Sequence, residues 1–125
     1  MTVVVDTNAL MMPIEVGVRL FDELERLGAT DPIVPRAVID ELEKLAASGN
    51  GEAATAASVG LDLSERCRTV ETEADYADDA VVEASSTFAV DAAVTNDKPL
   101  KERLLAEGVP VIGLRGQHKL AITQP

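Results

Sequence analysis

Two aspartates stand where apolar segments end, in positions suited to chemistry. Asp6 comes directly after Val3-Val4-Val5, three β-branched residues that predict a buried strand. Asp97 closes the motif Thr95-Asn96-Asp97, which follows a strand predicted over residues 88–94. The carboxyl ends of parallel strands lie at one edge of an α/β sheet, where ligands bind at the topological switch point. The two carboxylates are therefore expected to face a common cleft.

Further acids flank predicted helices. Glu41 and Glu43 border opposite edges of the apolar stripe of a helix predicted over 36–48, and periodicity alone does not choose between them. Asp79 lies at the start of a helix predicted over 76–87. These positions would allow helix acids to join the strand-end acids in one cleft.

Each acid also has an ordinary structural explanation. A carboxylate such as Asp97 can cap the helix that follows it, and Asp6 can close an Asx turn. Asp79 can stabilise a helix N-terminus through the helix dipole. A glutamate beside an apolar stripe usually belongs to the solvated rim. Spacing alone leaves the structural and the chemical explanations open.

The elements that must position these acids alternate along the chain. In order they are a strand over 2–6, a helix over 14–27 preceded by Pro13, a strand over 32–35, a helix over 36–48 ended by Ser48-Gly49-Asn50-Gly51, a helix over 52–65, a strand over 67–70, a helix over 76–87 with Asp75 as N-cap, a strand over 88–94, a helix over 97–107, a strand over 109–114 and a polar tail over 115–125. Such alternation predicts an α/β fold with three layers, in which helices cover both faces of a mostly parallel sheet. The length of 125 residues predicts a single domain over 1–125.

The composition narrows the class of protein. A hydrophobic content of 46% suits a globular chain, and no apolar run approaches the roughly 18 residues of a membrane span. The single cysteine, Cys67, excludes an internal disulfide and a cysteine-rich zinc site. The N-terminus lacks the basic and apolar regions of a signal peptide, so a cytoplasmic location is expected.

The charge balance is strongly acidic, with 22 Asp and Glu against 11 Lys and Arg and a net charge of −11. This balance argues against nucleic-acid binding through a basic surface. Metal ions held by carboxylates would reverse the local sign, and high salt would screen the remaining repulsion. The abundance of Ala, Val and Asp, with few lysines, is a hint of a salt-loving source.

Four stretches together resemble the PIN-domain ribonucleases. They are Val4-Val5-Asp6-Thr7-Asn8, Glu41 within residues 38–45, Asp79-Ala80-Val81-Val82, and Thr95-Asn96-Asp97. The family carries four acids in this order around a metal site. The resemblance implies that the catalytic and metal-ligating acids are Asp6, Glu41, Asp79 and Asp97, and that Asn8, Thr95 and Asn96 support them.

The resemblance also implies a cofactor, Mg²⁺ or Mn²⁺. Hard cations prefer oxygen ligands, and clustered carboxylates without a cation would repel one another. Asp6 and Asp97 are expected to be the principal ligands. Lys98 and Lys101 flank the fourth acid and either meet RNA phosphates or form a solvated helix face. No Ser–His or Cys–His pair competes, because His118 lies in the tail and Cys67 is expected to be buried.

Within the family, the chain looks most like the PIN nucleases of small-subunit ribosomal RNA processing and their short archaeal relatives. The matching stretches are Tyr76-Ala77-Asp78-Asp79-Ala80 and Gly108-Val109-Pro110-Val111-Ile112, followed by Leu114-Arg115. The resemblance implies an RNA endonuclease that acts on ribosomal RNA precursor. It leaves open a ribosome-assembly protein partner and a homodimer, and it implies no membrane partner.

Three other functions are weighed against this hypothesis. A toxin-type PIN ribonuclease of the VapC branch would share the four acids. A PIN-like module without turnover would bind RNA or a ribosome-assembly partner, although the presence of all four acids disfavours it. An aspartyl-phosphate receiver is also an α/β fold with clustered aspartates, but the helix around Lys98 does not fit its late-strand lysine.

Overall fold

The computed structural model of the chain describes residues 1–48 and 50–125. Within these residues there are six strands and six helices. The strands are β1 (Thr2–Val5), β2 (Asp31–Pro35), β3 (Arg68–Val70), β4 (Ala92–Val94), β5 (Val111–Arg115) and β6 (Lys119–Thr123). The helices are α1 (Thr7–Glu15), α2 (Leu20–Arg26), α3 (Arg36–Ser48), α4 (Gly51–Ser64), α5 (Ala77–Thr87) and α6 (Lys98–Ala106).

The strands form one sheet in the order β3-β2-β1-β4-β5-β6, with antiparallel pairing between β5 and β6 and parallel pairing elsewhere. The chain runs outward from β1 to β3 and then returns to the other side of β1 as β4. The switch point therefore lies between β1 and β4. Val5 pairs with Val94, so the two strands end level and the segments after them emerge side by side. The predicted three-layer α/β fold with a mostly parallel sheet is confirmed.

Burial on both faces explains why the central strands are continuously apolar. Val3, Val4 and Val5 are fully buried, as are Ile33 and Val34 of β2. Small residues allow the helices to approach closely. A Cβ atom at Gly60 of α4 would lie 3.1 Å from the carbonyl oxygen of Leu10 in α1.

The first helical region differs from the prediction of one helix over 14–27. α1 begins directly after β1 and contains Pro13, and α2 begins only at Leu20. α1 starts early because the Asp6 side chain caps it, and Gly17, with φ of +73°, interrupts the helical path. Ile14 is consequently 39% exposed and does not lie on the buried face predicted for it.

Two predictions near the strands were also wrong. Residues 88–91 turn before β4 begins: Ala89 has φ of +49°, and Asp91 accepts a hydrogen bond from the backbone N–H of Thr2 at 2.8 Å. The region predicted as a polar tail contains β6, because Leu120 is 1% exposed and anchors an antiparallel strand against β5.

The predicted helix over 36–48 is confirmed as α3, and Gly49 of the turn predicted after it lies outside the described residues. Asp75 does not cap α5, which follows Tyr76 without a side-chain cap. Instead, Glu83 reaches back from α5 to accept hydrogen bonds from the backbone N–H groups of Glu73 and Ala74. No helix in residues 1–48 or 50–125 is long and apolar enough to cross a membrane.

Candidate functional site

A cavity of about 290 Å³ opens at the switch point, beside the carboxyl ends of β1 and β4. Five of the residues that line it are acidic, and none of the described residues lining it is basic. The lining residues are Asp6, Thr7, Asn8, Met11, Glu15, Glu41, Leu45, Asp78 and Asp97. This acidic cavity brings together side chains from the ends of two strands and from α1, α3 and α5.

Asp6 is held rigidly at the base of the acidic cavity. Its side chain is 3% exposed, and its Oδ1 accepts a hydrogen bond from the backbone N–H of Ala9 at 2.7 Å, which caps α1. Its Oδ2 accepts a hydrogen bond from the hydroxyl of Thr95, a residue that is fully buried. The Thr95 hydroxyl in turn accepts a bond from the backbone N–H of Asp97 at 3.0 Å. One threonine thus couples the two strand-end acids.

Burial dominates the acidity of Asp6. Loss of solvation raises the pKa of the carboxyl from 3.8 to about 7, although the hydrogen bonds from Thr95 and Ala9 oppose the rise. The charges of Asp78 and Asp97 are smaller contributions to the same rise. Burial therefore disfavours the charged form of this carboxyl, and a positive charge beside it would oppose that effect.

Asp97 both caps a helix and lines the acidic cavity, the two roles between which the sequence did not decide. Its Oδ2 accepts a hydrogen bond from the backbone N–H of Leu100 at 3.1 Å and caps α6. The half-buried side chain also lines the acidic cavity. Capping occupies one oxygen and leaves the carboxylate facing the other acids.

Asn8 and Asn96 fix the loop between β4 and α6. The Oδ1 of Asn8 accepts a hydrogen bond from the backbone N–H of Asn96 at 3.0 Å. The Oδ1 of Asn96 accepts one from the backbone N–H of Leu114 at 3.4 Å. The loop is thereby tied to α1 on one side and to β5 on the other.

The structure places Glu41, and not Glu43, at the acidic cavity. Glu41 is half-buried beside Leu45, whereas Glu43 is exposed and lines a separate cavity with Ile39 and Leu61. The wheel position of Glu41 on Leu45's side of the apolar stripe therefore corresponds to the side that faces the strand ends.

The placement of α5 favours Asp78 over the predicted Asp79 as the third acid. Asp78 lines the acidic cavity, whereas Asp79 is exposed and its Oδ1 accepts a hydrogen bond from Arg103 at 2.7 Å. Successive residues of a helix are rotated by about 100°, so neighbours cannot share a face. The buried stripe of α5, which includes Ala77, Ala80 and Val81, lies closer to Asp78 than to Asp79. That stripe was the sequence signal that favoured Asp78.

The electrostatics of Asp78 match its place among the acids. Burial raises the pKa of its carboxyl, and the charges of Asp97 and Glu41 raise it further. Arg103 acts in the opposite direction and lowers it. Asp78 therefore experiences the negative field of the acidic cavity, while Asp79 neutralises the nearby arginine.

Two further lining residues were missed by the sequence analysis. Glu15 closes α1 and lies on the same helical face as Asn8 and Met11, a spacing hidden by the wrong start predicted for this helix. Thr7 is 8% exposed, and its hydroxyl has no hydrogen-bond partner among the described residues. A buried unpaired hydroxyl is costly unless a water or ion completes it.

The residues that line the acidic cavity offer oxygen atoms, the ligands that a hard divalent cation would use. As the side chains stand, no three Asp, Glu, His or Cys residues in the described ranges are close enough together to enclose an ion. The donor set is nevertheless composed of carboxylate oxygens, the orphaned hydroxyl of Thr7 points to a missing polar neighbour, and no lysine or arginine of the described chain neutralises the acids from the cavity wall.

The predicted lysines lie on the other side of the same loop. Lys98 and Lys101 do not line the acidic cavity; with Thr95 and Asn96 they line a neighbouring cavity of about 350 Å³ between α6 and β5. Lys98 is exposed and Lys101 is half-buried.

Comparisons with known proteins relate the chain to one family. Residues 3–117 match the family model described as PIN like domain. Ribonuclease VapC9 of Archaeoglobus fulgidus is 35% identical over 119 residues, which cover 95% of this chain and 87% of that protein. Ribonuclease VapC4 of Methanocaldococcus jannaschii is 29% identical over 117 residues, which cover 90% of this chain and 89% of that protein.

Solved structures share the fold. The PIN domain endonuclease Utp24 superposes with a TM-score of 0.78 at 29% identity, covering 99% of this chain and 92% of that one. A domain of a functionally unknown protein from Methanocaldococcus jannaschii superposes with a TM-score of 0.68 at 19% identity, covering 94% of each chain. The family model, the identity to two ribonucleases and the fold shared with an endonuclease show that the chain belongs to the PIN-domain family of ribonucleases.

Proposed function

We propose that this protein is a divalent-metal-dependent RNA endonuclease whose catalytic acids are Asp6, Glu41, Asp78 and Asp97. The observation that carries the proposal is their convergence. Four carboxylates from separate elements line one cavity at the switch point of the sheet, and no basic side chain of the described residues lines it with them. A structural role for each acid alone would not require that they meet.

Each acid has a distinct part in the proposed site. Asp6 and Asp97 would be the principal ligands of Mg²⁺ or Mn²⁺, because hydrogen bonds from backbone N–H groups and from Thr95 orient their carboxylates. Glu41 and Asp78 would complete the site from α3 and α5. When bound, the cation would neutralise charge on the scissile phosphate and activate a water. Asn8 and Asn96 would keep the two strand ends in register.

The proposed substrate is ribosomal RNA precursor. Support comes from the motifs around Asp78 and after Gly108, which resemble those of the PIN nucleases of small-subunit ribosomal RNA processing. The solved endonuclease Utp24, at 29% identity over nearly the whole chain, supports endonucleolytic cleavage. A ribosome-assembly partner or a homodimer would help this acidic chain to recruit RNA.

The test is cleavage of a labelled ribosomal RNA precursor fragment by protein stripped with EDTA and then supplied with Mn²⁺ or Mg²⁺. Internal cuts should appear only with the metal, and both Asp6→Asn and Asp97→Asn should abolish them. Asn caps helices about as well as Asp, so the fold of Asp97→Asn should be intact by circular dichroism. Unchanged cleavage by Asp6→Asn would refute the proposed catalytic site.

A toxin-type ribonuclease is the second candidate, because both ribonucleases matched by sequence carry the name VapC. Expression of a toxin should arrest growth, and a small neighbouring protein should relieve the arrest. Absence of growth arrest by an enzyme that cuts ribosomal RNA precursor in vitro would exclude it. Tight RNA binding without cleavage under any metal would instead support a non-catalytic binding module.

A further inference from the structure

The cavity between α6 and β5 has features that the four acids do not explain. It measures about 350 Å³, within the range of roughly 300–1,000 Å³ typical of small-ligand pockets. Lys98 and Lys101 lie on its wall together with the side chains of Leu105 and Leu114. We call it the lysine cavity.

The lysine cavity and the acidic cavity are two sides of one loop. Thr95 lines the lysine cavity while its hydroxyl donates to Asp6, and Asp97, two residues later, lines the acidic cavity. Asn96 lines the lysine cavity and is bound by Asn8 of the acidic cavity. A chain that occupies one cavity would therefore reach the other within a short distance.

The charges of the lysine cavity suit an anion. The whole chain carries a net charge of −11 and four lysines, and two of these four lie here. The salt bridges of the described residues all use arginine, so neither Lys98 nor Lys101 is engaged in one. Exposed Glu102 is the only acid among the described residues that line this cavity, which leaves its wall net positive.

The size and chemistry of the wall indicate which part of an RNA would bind. Lysine ammonium groups pair with phosphates, leucine side chains offer an apolar surface for a base, and an asparagine beside them can hydrogen-bond to it. A cavity of this size would hold one nucleotide but not a base pair within a duplex. Sequence-specific RNA recognition commonly uses such unpaired, splayed-out bases.

Resting on the proposed nuclease function, we infer that the lysine cavity binds one unpaired nucleotide next to the scissile phosphate. The lysines contact the flanking nucleotide and not the reacting atoms. Their loss should therefore raise KM and leave kcat unchanged.

The experiment compares Lys98→Gln, Lys101→Gln and the double variant with Lys44→Gln, a matched control on α3 that lines neither cavity. Cleavage of a single-stranded oligoribonucleotide is measured across a series of KCl concentrations. Each cavity variant should raise KM about 3- to 10-fold and reduce the slope of log(kcat/KM) against log[KCl] by about 0.7. Lys44→Gln should match the unmodified protein.

A parallel measurement of RNA binding by fluorescence anisotropy separates this inference from the proposed activity. Lysine-dependent binding of single-stranded RNA without any cleavage would uphold the lysine cavity and refute the nuclease. Cleavage with the same KM and the same salt dependence in the double variant and in Lys44→Gln would refute the lysine cavity and leave the nuclease standing. Neither binding nor cleavage would refute both.

Discussion

Asp78 and Asp79 are chemically identical neighbours that face different surroundings. Asp78 lies among the carboxylates of the acidic cavity, and Asp79 pairs with Arg103 on the surface. Exposed ion pairs of this kind contribute only about 0.2–1 kcal/mol to stability. The two positions therefore provide a matched pair of substitutions. Replacement of Asp78 tests a role in catalysis, and replacement of Asp79 tests only the surface ion pair with Arg103.

We expect Asp78→Asn to lower kcat by about 100-fold or more, because it removes a ligand charge from the site. Asp79→Asn should keep kcat within about threefold of the unmodified protein. Single-turnover cleavage of the RNA precursor fragment, with both variants at the same Mn²⁺ concentration, measures the difference. The reverse order of effects would return the third catalytic position to Asp79.

Buried Asp6 predicts a pH dependence of stability in the metal-free protein. Its pKa is about 7 in the folded state against 3.8 for a solvated aspartate, so the folded chain binds more protons than the unfolded chain between about pH 4 and 7. Stability should therefore fall as pH rises through this window. Each pKa unit corresponds to about 1.4 kcal/mol, which places the full cost of ionising Asp6 on the order of 4 kcal/mol.

The Asp6→Asn variant isolates this contribution. In EDTA it should unfold at higher urea concentration than the unmodified protein at pH 8, and the difference should shrink toward zero as pH falls to 4. The charges of Asp78 and Asp97 raise the pKa of Asp6, so the difference reports Asp6 together with this coupling. Titrating groups outside the acidic cavity act on both proteins and largely cancel. A stability difference that stays constant from pH 4 to 8 would show that Asp6 does not titrate as its burial requires.

At the scale of secondary-structure elements, Gly113 sets the approach of β5 to the loop after β4. A Cβ atom there would lie 2.9 Å from the carbonyl oxygen of Thr95, a distance shorter than Cβ atoms in real proteins show. Gly113→Ala should push this loop and with it the hydroxyl that positions Asp6. We expect a loss of stability of about 1–3 kcal/mol and a loss of RNA cleavage beyond what unfolding explains.

Gly60→Ala is the matched control for Gly113→Ala. Its Cβ would lie 3.1 Å from the carbonyl oxygen of Leu10 and 3.2 Å from a methyl of Leu42, so the two variants should lose comparable stability. The Gly60 site lies between helices and away from the loop at Thr95. Cleavage by the folded fraction should therefore survive Gly60→Ala. Equal loss of cleavage in both variants would mean that the loop has no special role.

The helices and strands that the sequence predicted wrongly are those whose bounds depend on contacts with residues distant in the sequence. The strand Val3-Val4-Val5 and the amphipathic α3 follow from local pattern, and both were predicted correctly. The break at Gly17 and the early start of α1 depend on the Asp6 cap and a left-handed backbone, which periodicity does not encode. β6 exists because Leu120 is buried against the sheet and its segment pairs with β5, although the residues just before it, 115–119, are mostly polar.

The residues of the candidate site also divide into those that local sequence pattern predicts and those that depend on packing. The meeting of Asp6 and Asp97 at one cavity could be predicted, because the carboxyl ends of parallel strands lie at the same edge of a sheet. Whether Asp78 or Asp79 faces the acidic cavity depends on the rotation of α5 by one residue, which the packing of its buried stripe fixes. Glu15 became recognisable only once α1 was known to begin at Thr7.

For the molecule as a whole, the dominant feature is the charge of −11. Within the described residues, the few salt bridges pair arginines with acids at the surface, and most of the 22 acidic side chains take no part in one. Mutual repulsion among them opposes the compact state. Salt relieves that repulsion, but it also weakens any contact between lysines and RNA phosphates. Stability and RNA affinity should therefore respond to salt in opposite directions.

We expect the melting temperature of the metal-free protein to rise by about 3–10 °C between 0.1 M and 1 M NaCl, as the screening length falls from about 10 Å to about 3 Å.

Glu65 and Glu107 cap the C-terminal ends of α4 and α6, where negative charge is unfavourable. The double variant Glu65→Gln, Glu107→Gln should melt higher at 0.1 M NaCl and gain less from added salt. Scanning calorimetry in NaCl and in Na₂SO₄ at equal ionic strength separates screening, which is equal in both, from exclusion of sulfate from the surface. A gain found only with sulfate would show that repulsion among the acids does not limit the stability of this fold. A gain undiminished in the double variant would show that Glu65 and Glu107 do not contribute to it.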